Sequence, residues 1–132
     1  MATFRLRVLT VEETVFDGEV DRCIVRTQTG DVGILPYHVR YVAPLGIGSL
    51  IVLQDGKKRE AAIAGGYIDV SETGTVIFAH TCEWADVIDV NRARERVEQH
   101  KTRSDSDSSA KQLKVEEYKL KRSLNRIRVA EK

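Results

Sequence analysis

The stretch TVIFAHTCEWADVIDVNRARERV, Thr75–Val97, contains the change of pattern that decides this fold. Thr75 to Cys82 is a short apolar run of β type. Past Trp84 the texture changes. Val90, Ala93 and Val97, continued by His100, recur at spacings of three and four, which places them on one helical face. No Gly or Pro follows Ile88. Asp86 and Asp89 both stand where a helix N-cap is expected, because a carboxylate there accepts from free backbone N–H groups.

Upstream, everything reads as strand and turn. Phe4, Leu6 and Val8 alternate with Arg5 and Arg7, the period of a half-buried strand. Val20, Arg22, Ile24 and Arg26 continue that texture, with Cys23 and Val25 on the opposite face. Thr29-Gly30-Asp31 signals a turn. Leu50 to Leu53 is an apolar run that ends at Asp55-Gly56, a strong hairpin dipeptide because Gly tolerates positive φ. Ala61 to Val70 and Thr75 to Cys82 are divided by Ser-Glu-Thr-Gly. Many short strands with turn signals predict a β-sandwich or barrel.

Downstream, the polar segment Thr102 to Ser109 reads as a loop. Ser109 and Gln112 fit a capping box. Leu113, Leu120, Leu124 and Ile127 give a second helix its apolar stripe. The expected architecture is a β-domain over residues 1–86 followed by an antiparallel two-helix hairpin over 87–132. Isolated helices of this length are marginal in water, so the hairpin's apolar faces need a partner surface.

Charge follows the same division. Residues 1–87 carry 8 Lys/Arg against 12 Asp/Glu, and residues 88–132 carry 13 against 8. A basic appendage on an acidic body points to an anionic partner or ligand. No apolar run approaches the ~20 residues of a membrane span, and the N-terminus alternates as a strand does, unlike a signal peptide. Cys23 and Cys82 read as buried free thiols of a reducing compartment.

The motifs of a self-sufficient enzyme are missing. There is no phosphate-cradling GxxxxGK[ST] loop, no GxGxxG, no HExxH and no pair of CxxC motifs. His80 and Cys82 share a strand face, but two ligands do not make a metal site. The basic residues of the hairpin say more. Lys119, Arg122 and Arg126 share one face of the second helix, and Arg92 and Arg96 are one turn apart on the first. In an antiparallel pair Asp89 and Arg92 approach the Arg122 and Arg126 end. Guanidiniums gathered there repel unless an anion joins them, and Arg is shaped for forked bonds to phosphate.

Four runs then resemble one family. GDVGILPYH (30–38) resembles the GxxGILPxH signature of the epsilon subunits of bacterial F-type ATP synthases, and AGGYIDV (64–70) resembles their second signature. IDVNRA (88–93) is similar to their I/L-D-x-x-R-A nucleotide motif, and KRSLNR (121–126) carries the matching second-helix arginines. The resemblance spans the chain in order.

The resemblance implies a non-catalytic subunit of the central stalk. Its sandwich binds the gamma subunit and rests on the c-ring through the loop with Asp31, Val32, Tyr37 and His38. Its hairpin binds ATP without hydrolysing it, at Glu83, Ile88, Asp89, Arg92, Ala93, Arg122 and Arg126. Mg²⁺, where it accompanies ATP, is carried by the phosphates, and Asp89 and Glu83 accept from ribose or adenine or help hold that ion, with no firm metal site in the protein. When extended, the hairpin meets the alpha/beta catalytic hexamer and inhibits ATP hydrolysis. Nucleic acid is not a partner. The protein is expected at the cytoplasmic face of the bacterial cell membrane, peripheral and attached only through the complex. Three positions depart from the family pattern: Tyr37 replaces a usual Gly, Arg40 a Pro or small residue, and Gln99 a cation present in some ATP-binding members.

Overall fold

Seven strands and two helices follow one another along the chain in the computed structural model, which describes residues 2–37, 39–106 and 110–131, with backbone alone for His100, 102–106 and 110–113. The chain divides into two compact units, Met1–Trp84 and Ala85–Lys132. The boundary falls two residues before the expected one, at the start of a 3-10 turn, Ala85–Val87.

The first unit is the seven-stranded β-sandwich. Its strands are β1 Phe4–Leu9, β2 Thr14–Val20, β3 Arg22–Thr27, β4 Gly30–Ile34, β5 Tyr41–Gln54, β6 Lys57–Ser71 and β7 Gly74–Trp84. The order in the sheet is β2-β1-β7-β6-β5-β3-β4. Only β1 and β7 run parallel. The sheet folds so that its parts face each other. The Asp21 N–H donates to Leu53 O at 2.8 Å, and Gln54 Nε2 donates to Glu19 O at 2.8 Å, which ties the end of β2 to β5. One core results, with residues from every strand.

The fold line can be traced residue by residue. On β5 the core takes Ala43 and Leu45, then Leu50 and Val52. On β6 it takes Ala61 and Ile63, then Ile68 and Val70. On β7 it takes Ile77 and Ala79, with Cys82 and Trp84 packed against it. In each strand the inward-facing residues change parity at the same level, so the strand turns over as it passes between layers. Glycines lie on that line. The β5–β6 ladder skips from Pro44↔Tyr67 to Ile47↔Ala64, and Gly65 and Gly66 have φ of 73° and 102°. A Cβ on Gly66 would lie 1.8 Å from Phe78 O, and one on Gly65 would lie 2.5 Å from the His80 ring.

Local chemistry accounts for the turns. Asp55 and Gly56 both take positive φ, 51° and 74°, the type I′ hairpin that the dipeptide predicts. Pro44 lies within β5. Its missing N–H costs no ladder bond with β3, because the β3–β5 register ends at Thr27↔Leu45.

The second unit is the helical hairpin, α1 Val90–Ser106 and α2 Ala110–Ala130. The expected loop at Thr102 to Ser109 is therefore shorter, because α1 continues through Ser106. Residues 102–106 contain neither Gly nor Pro, so no backbone constraint stops the helix there. The capping-box residue Ser109 lies outside the described residues, as do the side chains of His100, Gln112 and Leu113. On α1, Ala93 and Val97 are buried as their spacing predicts. On α2 the buried residues are Glu116, Ser123, Asn125 and Val129, with Leu120 and Ile127 partly buried. Leu124 is 46% exposed, so it does not belong to the stripe.

Candidate functional site

Asp89 sets the start of α1. Its Oδ1 accepts from the Arg92 N–H at 3.0 Å, and its carbonyl accepts from the Ala93 N–H at 3.1 Å. Of the two candidate caps, Asp89 is the one used, and Asp86 lies exposed in the preceding turn. The cap occupies one carboxylate oxygen and leaves the other for a further donor. Ile88 and Ala93 are buried, so they anchor the motif, while Arg92 is exposed.

The opposite helix supplies cations. Arg94 and Glu131 form an ion pair, which makes α1 and α2 antiparallel with the start of one beside the end of the other. Arg126 lies five residues before Glu131, about 7.5 Å along the axis. That puts it near the level of Gln99, and Arg122 about a further turn on. Arg122 and Arg126 are half-buried. The Arg122 guanidinium lies 5.9 Å from the Tyr118 ring centroid, a loose cation–π contact. Arg92 and Arg126 are thus separated by about 10 Å of helix axis. A single phosphate does not span that interval, whereas a long polyanion lying along the hairpin does. Glu83 belongs to the other unit, near the end of β7, and is half-buried.

The expected c-ring loop is part strand: Asp31 and Val32 lie on β4, paired with Arg26 and Val25, and Tyr37 lies in the turn after it. Asp31 is held by Arg26 through Nε at 2.8 Å and Nη2 at 3.5 Å, so its charge is satisfied within the sandwich. The Arg26 side chain passes over Gly48, where a Cβ would come within 2.5 Å of it. Val32 packs against the core. Tyr37 has φ of 64° and is 94% exposed. This is the left-handed region that Gly adopts freely, which explains the family's usual residue here. Leu35 and Val39 are also exposed, at 54% and 78%. The sequence reading did not single them out, although both lie in or beside the quoted signature. His38 lies outside the described residues.

The thiols are poor nucleophiles. Burial pushes Cys23 and Cys82 up to about 12, with Glu83 and Glu13 adding to the effect at Cys82. Both are free. Among the described residues no group of His, Cys, Asp and Glu could hold a metal ion, and no helix is long and apolar enough to cross a membrane.

Residues 3–85 match the family described as "ATP synthase, Delta/Epsilon chain, beta-sandwich domain". The ATP synthase epsilon chain of Ruminococcus albus is 39% identical over 133 residues, covering 100% of this chain and 99% of the relative. That of Alkaliphilus oremlandii is 44% identical over 102 residues, covering 77% and 76%. A chain of the Euglena gracilis mitochondrial ATP synthase, from an OSCP/F1/c-ring structure, shares the fold with a TM-score of 0.82. Its identity is 24%, over 95% of this chain and 79% of that one. With a matching sandwich and a full-length relative of this similarity, the chain belongs to the ATP synthase epsilon family.

Proposed function

We propose that this protein is a non-catalytic rotor subunit that couples the c-ring to gamma and restrains ATP hydrolysis through an ATP-binding hairpin. The observation that carries the reading is the weakness of the hairpin's own seam. Of its buried residues on α2, Glu116, Ser123, Asn125 and Val129, one is apolar, and its ends are joined by an exposed ion pair. Such a seam has little apolar area to hold it closed. A ligand that touches both helices therefore has leverage over the folded state, because it binds only when they are side by side.

ATP fits the groups available. Arg92, Arg122 and Arg126 are the phosphate-seeking side chains of the hairpin. The free oxygen of Asp89 suits a hydroxyl or amino donor of the nucleoside. Mg²⁺ would arrive on the phosphates. Released and extended, the same basic face suits an acidic surface of the catalytic hexamer. Leu35, Tyr37 and Val39 give the loop an apolar tip suited to the c-ring. The working place of the protein is then the cytoplasmic face of the bacterial membrane, reached through the complex.

Calorimetry of the whole chain with ATP tests the site. Binding is expected for the wild type and a loss of at least tenfold for Arg92→Ala or Arg126→Ala. Equal binding by these variants would remove the proposed site. Deleting residues 88–132 tests the restraint: hydrolysis by the reconstituted complex should rise. An unchanged rate would leave a fixed coupling subunit in place of a regulator.

A further inference from the structure

Arg5, Arg26 and Arg94 are each met by a carboxylate, of Asp17, Asp31 and Glu131. Arg122 is held differently. Among the described residues no carboxylate pairs with its guanidinium, and Glu117, an exposed carboxylate of the same stretch of α2, pairs with Lys121 at 3.4 Å. What Arg122 has is the ring of Tyr118, 5.9 Å away. Tyr118 lies one turn earlier on α2, and long helical side chains lean toward the N-terminus, which carries the arginine back over the ring. The ring is 41% exposed, so the interior of the hairpin does not depend on it.

A carboxylate and an aromatic face orient a guanidinium with different consequences. The carboxylate takes up N–H donors and cancels charge, so an incoming phosphate has to displace it. The ring attracts the cation through its quadrupole and narrows the directions the side chain samples, yet leaves the N–H donors and the charge for another ligand. We infer that Tyr118 is the positioning residue for Arg122, holding the guanidinium oriented but not neutralised for the phosphates of a bound nucleotide. This role rests on the reading of the hairpin as an ATP site, and adds to it a residue outside the runs that carry the family resemblance. Lys119 and Arg126, about one turn to either side, share the phosphate charge, so Tyr118 controls only part of the affinity.

Calorimetry of the full chain with ATP compares Tyr118→Phe, Tyr118→Leu and Arg122→Ala with the wild type. Phe keeps the ring, while Leu keeps apolar bulk and helix propensity without a π face. Tyr118→Leu should weaken ATP binding about two- to fivefold, the scale of an exposed cation–π contact. Tyr118→Phe should bind as the wild type does, and Tyr118→Leu added to Arg122→Ala should change nothing further. Wild-type affinity in Tyr118→Leu would overturn the inference while leaving the nucleotide site in place. An equal loss in the Arg122→Ala background would overturn it too, because the ring would then act without the arginine. So would a fall in helix content by circular dichroism in Tyr118→Leu, which would make the ring structural. A wild-type chain that does not bind ATP would instead overturn the reading of the hairpin as an ATP site, and the role of Tyr118 with it.

Discussion

Arg94, in the second turn of α1, is paired with Glu131, one residue beyond α2, and this contact joins the start of α1 to the end of α2. Its side chains are 59% and 48% exposed. An ion pair so placed gains little over its hydrated parts. A double-mutant cycle over Arg94→Ala and Glu131→Ala should give a coupling below about 1 kcal/mol that fades with added salt. A coupling of several kcal/mol, insensitive to salt, would mean that the hairpin is locked rather than poised.

Gly66 and Gly56 separate two reasons for glycine. Both have positive φ. A Cβ at Gly56 meets nothing within 4 Å, whereas one at Gly66 meets the Phe78 carbonyl at 1.8 Å. Gly56→Ala should cost about 1–2 kcal/mol from backbone conformation alone. Gly66→Ala should cost about 3 kcal/mol or more, since backbone on β7 must move. Urea unfolding of the two variants measures the difference, and equal costs would contradict the fold line drawn here.

Tyr37 holds a left-handed backbone with a fully extended exposure to solvent. Tyr37→Gly removes a strain of about 1–2 kcal/mol and adds roughly 0.4–1 kcal/mol of unfolded-chain entropy. The variant should be as stable as the wild type or more stable by up to about 1.6 kcal/mol. A large loss in denaturant midpoint would show that the ring packs on something and that strain does not govern the position.

Alkaline stability should depend on the two thiols. Their folded values lie near 12 against an ordinary 9.0. Below the ordinary value both states hold the proton and the difference is silent. As pH rises above it, the unfolded chain loses protons that the folded chain keeps, so stability falls with pH through that window. A Cys23→Ala/Cys82→Ala variant should lose less stability between neutral pH and pH 10–11. A disulfide-based thiol reagent should react slowly with the native protein and promptly in denaturant. Rapid native labelling of both thiols would contradict their burial.

At the acidic end, Arg5 holds the Asp17 carboxylate below its ordinary value, chiefly through their hydrogen bonds at 3.0 Å. The stabilisation is present above the ordinary carboxylate range and is lost as pH falls through the lowered value. Both groups are exposed, so the effect should be small. Comparing Asp17→Asn with the wild type across pH 2–5 measures it, and a large difference would be unexpected.

Much of this was legible locally. Asp55-Gly56 predicted its turn, the alternation at Phe4 to Val8 its strand, and the spacing of Ala93 and Val97 their burial. What stayed hidden depends on distant chain. Residues 41–49 belong to β5 although Pro44, Gly46 and Gly48 are breakers in isolation. Pro44 is tolerated where β3 stops pairing, and Gly48 is required by the Arg26 side chain crossing it. The four consecutive buried residues Ala61, Ala62, Ile63 and Ala64 break the alternation expected of one sheet face. Leu124 was misassigned because helical spacing defines a stripe only to within one step, and the neighbouring helix chooses its centre.

Sequence alone determined the two-part architecture and the family, since the switch from period two to helical spacing and the four signature runs are properties of neighbours in the chain. It also named Asp89, Arg92, Arg122 and Arg126. Tertiary structure decided how those groups are placed. It assigned the cap to Asp89 over Asp86, and set the distance between Arg92 and Arg126 through the Arg94–Glu131 register. Each of these depends on which residues meet across dozens of positions, and short-range periodicity carries no information about that.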